Sequence, residues 1–220
     1  MFDDKRRILQ ALTELGRRLA LRDSRPVTLV ICGAAALNCT DLLARQTRDV
    51  DVLGLLAASG SPKLLATGLP EELMTPIASV AADLGVEVDW LNDRSIILQT
   101  QPGLPPGFER RLLRPPLEFG PCLRVTFPSR LDMVALKFYA ALDRRLEEAM
   151  RHYRDLVEME PTHDELEFAA AWLVGRPTSE EFRRKVCDLA ERFGAENLRA
   201  LKEAATSSKP TRRSARRKKA

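Results

Sequence analysis

Two carboxylates two residues apart, Asp49 and Asp51, are set between Val50 and Val52. Residues two apart in a strand share a face, so both acids point one way and both valines the other. Upstream, the apolar run 27–32 ends at Gly33, and small residues then open a helix. A carboxylate pair just beyond a glycine turn suits a divalent metal that carries a phosphate chain. Glycine lets backbone N–H groups approach phosphate closely, and the start of a helix attracts anions. The plain alternatives are a solvated edge strand for the acids and an ordinary strand-to-helix turn for Gly33. Lys137, on an otherwise apolar helix face, is the best candidate for a cation that would neutralise phosphate. Its plain alternative is a lysine that snorkels from a core helix.

Several elements must hold these residues in place. Ile8, Leu12, Leu15 and Leu19 recur at helical spacing over 4–21, and the helix ends before the turn-prone 23–26. The run 27–32 is short and continuously apolar, which predicts a central strand. The helix that starts at Gly33 is expected to run to about Arg45, and a strand to cover 49–53. A loop begins at 59–62. Glu71 and Glu72 open a helix that ends at Leu84, with Gly85 as its C-cap. The segment 86–91, VEVDWL, alternates as a strand with Glu87, Asp89 and Leu91 on one face, and Asn92 reads as a turn. Prolines and glycines in 101–107 predict a loop near the site. The last strand is 123–127. Leu131, Val134, Ala135, Phe138 and Leu142 then form a helical stripe over 130–143. Beyond it the chain is helical, with Thr162/Glu165 and Ser179 in N-cap settings.

Strands in the first half and helices in the second predict an α+β protein. Residues 1–128 make a small mixed sheet flanked by helices, with the N-terminal helix attached. Residues 129–205 make a helical bundle, and 206–220 a disordered tail. The 220 residues are 45% hydrophobic, enough for a real core, and no apolar run approaches the roughly 20 residues of a membrane span. The N-terminus carries acids and no signal-peptide core. Cys32, Cys39, Cys122 and Cys187 are scattered, which fits reduced thiols in the cytoplasm. With two histidines, a histidine-rich metal site is excluded. The net charge is +4, but the last twelve residues hold seven Lys or Arg and no acid, so the rest carries +4 less 7, a net −3. The basicity belongs to a tail that could touch nucleic acid without ordering, or merely keep the chain soluble.

The stretch around the acid pair resembles the nucleotidyltransferase superfamily of the DNA polymerase beta type. It is most similar to bacterial nucleotidyltransferases related to the AbiEii and MenT toxins. Their pattern is a strand, Gly-Gly or Gly-Ser opening a helix, then Arg-x-Thr-x-Asp-hydrophobic-Asp. Gly33, Ala34, Arg45, Thr47, Asp49 and Asp51 stand at those positions. One departure is Ala34, which offers phosphate a backbone N–H and no hydroxyl. In the helical half the family carries a Lys with an Arg seven residues on, then a following helix with an Asp-Leu signature. Asp132, Lys137, Ala140, Arg144, His152, Asp155 and Leu156 match, and the likeness spans roughly 27–173.

The resemblance implies a sheet of the nucleotidyltransferase kind and transfer of a nucleotide from an NTP to a hydroxyl. It implies Mg2+ held by Asp49, Asp51 and a third acid on a later strand, for which Asp89 is the candidate and Glu87 the second. Asp89 could also help to deprotonate the acceptor. Gly33, Ala34, Thr47 and Lys137 would bind the nucleotide's phosphates, with Lys137 counted among the catalytic residues. Thr47 also suits the turn before the strand, and Arg48 is expected on the valine face. His152 and Asp155, one helical turn apart, are expected to pair with each other. RNA, protein or a small molecule could be the acceptor, and a cognate antitoxin the partner. The alternative is a degenerate fold that binds nucleotide, RNA or protein without turnover.

Overall fold

The first ordered turn is fixed by Asp4, whose carboxylate accepts from the Arg7 N–H at 2.9 Å and caps α1 (Lys5–Leu21). The helix buries Ile8, Leu12, Leu15 and Leu19, the stripe expected from their spacing. Each such side chain removed from water contributes on the order of 1.5–3 kcal/mol. The computed structural model describes residues 1–57, 63–142 and 146–195. The loop read at 59–62, Arg144 and the basic tail lie outside the described residues.

β1 (Val27–Cys32) runs straight into α2 (Gly33–Cys39). α2 is much shorter than expected and stops before Arg45. Thr40 and Asp41 end it, with the Thr40 hydroxyl bonded back to the Ala36 carbonyl at 2.7 Å and Asp41 at φ +58°. The chain then returns as β2 (Val50–Leu56), followed by β3 (Leu64–Leu65) and α3 (Glu71–Leu84). Gly85 closes α3 in the left-handed conformation at φ +62°, as its position predicts.

The expected strand over 86–91 does not form. Residues 86–90 make a turn, and β4 is only Leu91–Asn92. The reason lies in Trp90. Its ring is fully buried, and its indole N–H donates to the Ile77 carbonyl of α3 at 3.0 Å. Folding back under α3 breaks the alternation and leaves Val88, Glu87 and Asp89 exposed.

Short 3-10 helices cover Arg94–Gln99 and Phe108–Arg111, and 101–107 between them is a loop as expected. β5 (Leu117–Glu118) and β6 (Leu123–Thr126) complete the strands. The described strands form one mixed sheet in the order β3-β2-β1-β6-β5, with β4 also on β2. β1 is parallel to β6 and antiparallel to β2. Val30 lies opposite Gly54 but Ile31 opposite Val52, so Leu53 is an extra residue, a bulge in β2.

The second half is helical: α4 (Arg130–Ala140), α5 (Leu146–Met159), α6 (His163–Val174) and α7 (Glu180–Arg192). Thr162 and Glu165 form a complete capping box, and Ser179 caps α7. α4 packs on α5 and α6, and also touches α2. Through that contact the helical half reaches the end of β1. No helix among the described residues is long and apolar enough to cross a membrane.

Candidate active site

Gly33 sits where β1 becomes α2, at φ +69°. A Cβ there would come within 2.8 Å of the Asp51 carboxylate. Position 33 therefore needs glycine twice over, for its backbone and for the closeness of the acid. Asp51 reaches that point because its register partner on β1 is Cys32. Val50 and Val52 are fully buried while Asp49 and Asp51 are not, so acids and valines take the opposite faces their spacing predicts.

Both acids open onto a cleft of about 630 Å³ that Gly33, Ala34 and Lys137 also line. The sequence places these residues far apart, and the fold brings them together. Burial and the neighbouring Asp49 push the Asp51 carboxyl up to about 6. Two carboxylates crowded in this way form a donor set that a divalent cation would relieve. Magnesium takes one or two protein carboxylates and fills its remaining positions with phosphate and water. Asp49 and Asp51 fit that habit. Among the described residues, no group of three or more His, Cys, Asp and Glu is arranged to hold a metal.

The strand position beside Asp51 belongs to Asn92, which is its register partner on β4. Asn92 is buried, and its amide donates to the Asp49 carboxylate at 3.4 Å. Its carbonyl accepts from the Arg94 N–H at 3.1 Å, which fixes the NH2 toward the acids. Because the strand over 86–91 is absent, Asp89 and Glu87 do not stand on a strand face beside the pair. Asp89 is half exposed and ion-paired with Arg94. Arg94 in turn stands 4.0 Å from the Asp49 carboxylate. Neither Asp89 nor Glu87 lines the cleft. From the chain alone Asn92 reads as a turn, because the alternation of the preceding six residues points to a strand that ends before it.

Thr47 holds the turn before β2. Its hydroxyl donates to the Asp49 carbonyl at 3.0 Å, and its backbone pairs with Phe2 through bonds of 2.7 and 3.0 Å. The buried Asn38 holds the other side of this turn. It donates to the carbonyls of Ala34 at 3.0 Å and Arg45 at 2.7 Å and accepts the Arg45 N–H at 3.1 Å.

Arg45 is thereby aimed at the helical half, where its guanidinium pairs with Asp155. The other oxygen of Asp155 accepts from Lys137 at 2.6 Å. Lys137 and Asp155 are both buried. The lysine is thus a member of a buried ion network and does not snorkel outward. Asp155 takes both of these cations. His152, one turn before it on α5, lines the cleft.

Arg48, Arg94 and Arg151 line the same cleft, so Arg48 does not lie on the valine face. Arg45 and Lys137 line it too, but Asp155 takes up part of their charge and Asp89 part of that of Arg94, so Arg48 and Arg151 are the cations that best suit a polyanion there. The loop 101–107 borders a separate cavity through Leu104, Pro105 and Gly107, and no residue of it lines the cleft. Asp132, matched in the resemblance, is fully buried in a bidentate pair with Arg111 at 2.6 and 3.0 Å. Cys32, behind Asp51, is a buried thiol pushed up to about 12 by desolvation, so it stays protonated and is no nucleophile.

Residues 17–220 match the family model described as nucleotidyl transferase AbiEii toxin, type IV TA system. Searches of curated proteins and of solved structures returned no significant match.

Proposed function

The chain belongs to the AbiEii nucleotidyltransferase toxin family, and from that membership we propose that it moves a nucleotide from an NTP to a hydroxyl acceptor with the help of Mg2+. The observation that carries the reading is the convergence of Asp49, Asp51, Gly33 and Lys137 on one cation-rimmed cleft. In this reaction the acceptor oxygen attacks the α-phosphorus, the bond to the β-phosphate's bridging oxygen breaks, and pyrophosphate leaves. The acceptor's proton passes to solvent or to a carboxylate at the acid pair.

Asp49 and Asp51 would hold magnesium, which when bound offsets charge on the triphosphate and the leaving group. Gly33 presents backbone to phosphate without a side chain in the way, and Ala34 offers its N–H beside a small methyl group. Lys137 adds positive charge beside Asp51, where its field already favours the ionised carboxyl. Thr47 acts on the nucleotide through the turn that aims Asp49. Asp89 acts on Arg94, which it holds beside Asp49. The basic rim suits an RNA acceptor best, and the family's toxin description points to a cognate antitoxin as partner.

Two observations favour a second reading, a fold that binds nucleotide without turnover: Ala34 brings no hydroxyl, and Asn92 puts a neutral amide where a third acid is expected. Incubation with each labelled NTP, magnesium, total RNA and protein decides between them. Label entering a macromolecule with wild type, and lost by at least about a thousandfold in Asp49→Asn plus Asp51→Asn, supports transfer. Magnesium-dependent NTP binding without label transfer supports the binding module.

A further inference from the structure

Asp49 stands one residue before β2, and the sheet does not hold it directly. Ladder pairing starts with Val50, opposite Leu91, and Asp51, opposite Cys32 and Asn92. The position of Asp49 is therefore set by the turn that leads into the strand. The first residues of the chain lie across that turn as a strap. Phe2 pairs with Thr47 in an antiparallel bridge: its N–H donates to the Thr47 carbonyl at 2.7 Å, and its carbonyl accepts the Thr47 N–H at 3.0 Å. Met1, beside it, lines the cleft. Asp4 caps α1 two residues later, which pins the strap on the helix side as well.

The structure assigns Phe2 as a positioning residue for the acid pair, one that holds Asp49 where it can share a magnesium ion with Asp51. The assignment rests on the metal-dependent reading above. Two routes lead from Phe2 to Asp49. One runs through Thr47, whose hydroxyl donates to the Asp49 carbonyl at 3.0 Å. The other runs through Trp90. The two rings meet edge to face with centroids 5.8 Å apart, and the Trp90 carbonyl accepts from the Val50 N–H at 2.6 Å. Asp49 is thus held from Thr47 on one side and from Val50 on the other, both tied to one fully buried phenylalanine. Phe2 does not itself line the cleft, so it acts on the site through these neighbours. The strap also precedes the matched stretch 17–220, so family membership does not supply it. Magnesium is the ion for which this matters. It demands near-octahedral geometry with short bonds, whereas calcium accepts a looser and more variable shell. A slack turn therefore weakens magnesium binding far more than calcium binding.

The probes are magnesium and calcium, each added alone and measured by calorimetry on the full chain well below every Tm. Phe2→Ala removes the ring and leaves the backbone bridge. Phe2→Leu keeps most of the apolar volume and loses the edge contact with Trp90. Leu12→Ala, buried on α1 and in neither route, reports what loss of core packing alone does. The expected result is that Phe2→Ala binds magnesium at least about tenfold more weakly, the usual scale for a residue behind a metal ligand, and calcium within about threefold of wild type. Phe2→Leu falls between wild type and Phe2→Ala. Leu12→Ala binds both ions as wild type does.

Magnesium affinity within about twofold of wild type in Phe2→Ala overturns the assignment. So does an equal loss for both ions, or a loss in Leu12→Ala as large as that in Phe2→Ala. If Phe2→Ala does not fold, Phe2→Leu decides: a loss of about threefold or more confined to magnesium supports the assignment, and its absence overturns it. A wild type that binds magnesium and labels no acceptor removes the transferase reading and leaves the role of Phe2 to the variants. A wild type that binds neither ion sinks both.

Discussion

Replacing Asp51 with asparagine is expected to stabilise the metal-free protein while it removes half of the acid pair. In the folded chain this carboxyl is pushed from 3.8 up to about 6, first by burial and then by Asp49. Between those two values the folded state binds more protons than the unfolded state. Stability therefore falls as pH rises through the window. The cost of ionising Asp51 is present in full above about 6 and absent below about 3.8.

A gap of that size corresponds to ~3 kcal/mol. The face of the carboxyl open to the cleft keeps some water, so about 2 kcal/mol is the working magnitude. Asparagine has the same shape and carries no charge. Asp51→Asn should therefore be more stable than wild type by about 2 kcal/mol at pH 7.5, or roughly 4–8 °C in Tm for a chain of this length. The difference should shrink toward zero near pH 4. The assay is thermal or urea unfolding of both proteins in EDTA across that range. Added magnesium should then raise the Tm of wild type and leave the variant unmoved. A variant less stable than wild type at pH 7.5, or a difference independent of pH, would refute the electrostatic argument.

Other substitutions probe the rest of the site. Gly33→Ala forces a side chain into a positive-φ position and against Asp51. It should cost about 1–2 kcal/mol in urea unfolding and weaken magnesium binding measured by calorimetry. Asp155→Ala strands Lys137 and Arg45 and should cost about 3–5 kcal/mol, whereas Lys137→Met leaves Asp155 with Arg45 and should cost clearly less. Equal losses in the two variants would argue against a shared counter-ion. Asn92→Asp places a third acid beside the pair. It should lower the Tm of the metal-free protein at pH 7.5 and tighten magnesium binding by about tenfold or more. Unchanged magnesium affinity would show that position 92 does not face the metal.

The parts of the site that depend on local spacing were legible in the chain. The alternation of Asp49 to Val52, the glycine at the end of β1, and the caps at Gly85, Thr162 and Ser179 follow from short-range rules. What local rules cannot carry is competition with a distant partner. The segment 86–91 has the pattern of a strand, yet the Trp90 indole finds the Ile77 carbonyl and the pattern yields. Asn92 rather than Asp89 then stands beside the pair. The helix after Gly33 has no proline or glycine to stop it before Arg45. It ends early where the Thr40 hydroxyl bonds back to the Ala36 carbonyl and Asp41 turns left-handed, and Asn38 then holds the Arg45 backbone across the loop. The pairing of Arg45 with Asp155 spans 110 positions, a separation that no periodicity encodes.

That long-range pairing also bears on where this chain can be divided. A fragment ending at residue 128 would carry Arg45 with its guanidinium stripped of a counter-charge. The complementary piece would keep Lys137 against Asp155 with one carboxylate oxygen deserted. Chimeras that graft a foreign helical half onto this sheet inherit the same mismatch unless the donor supplies an acid at the matching helical position. The junction that looks like a seam in the sequence is the place where recombination would do the most electrostatic harm.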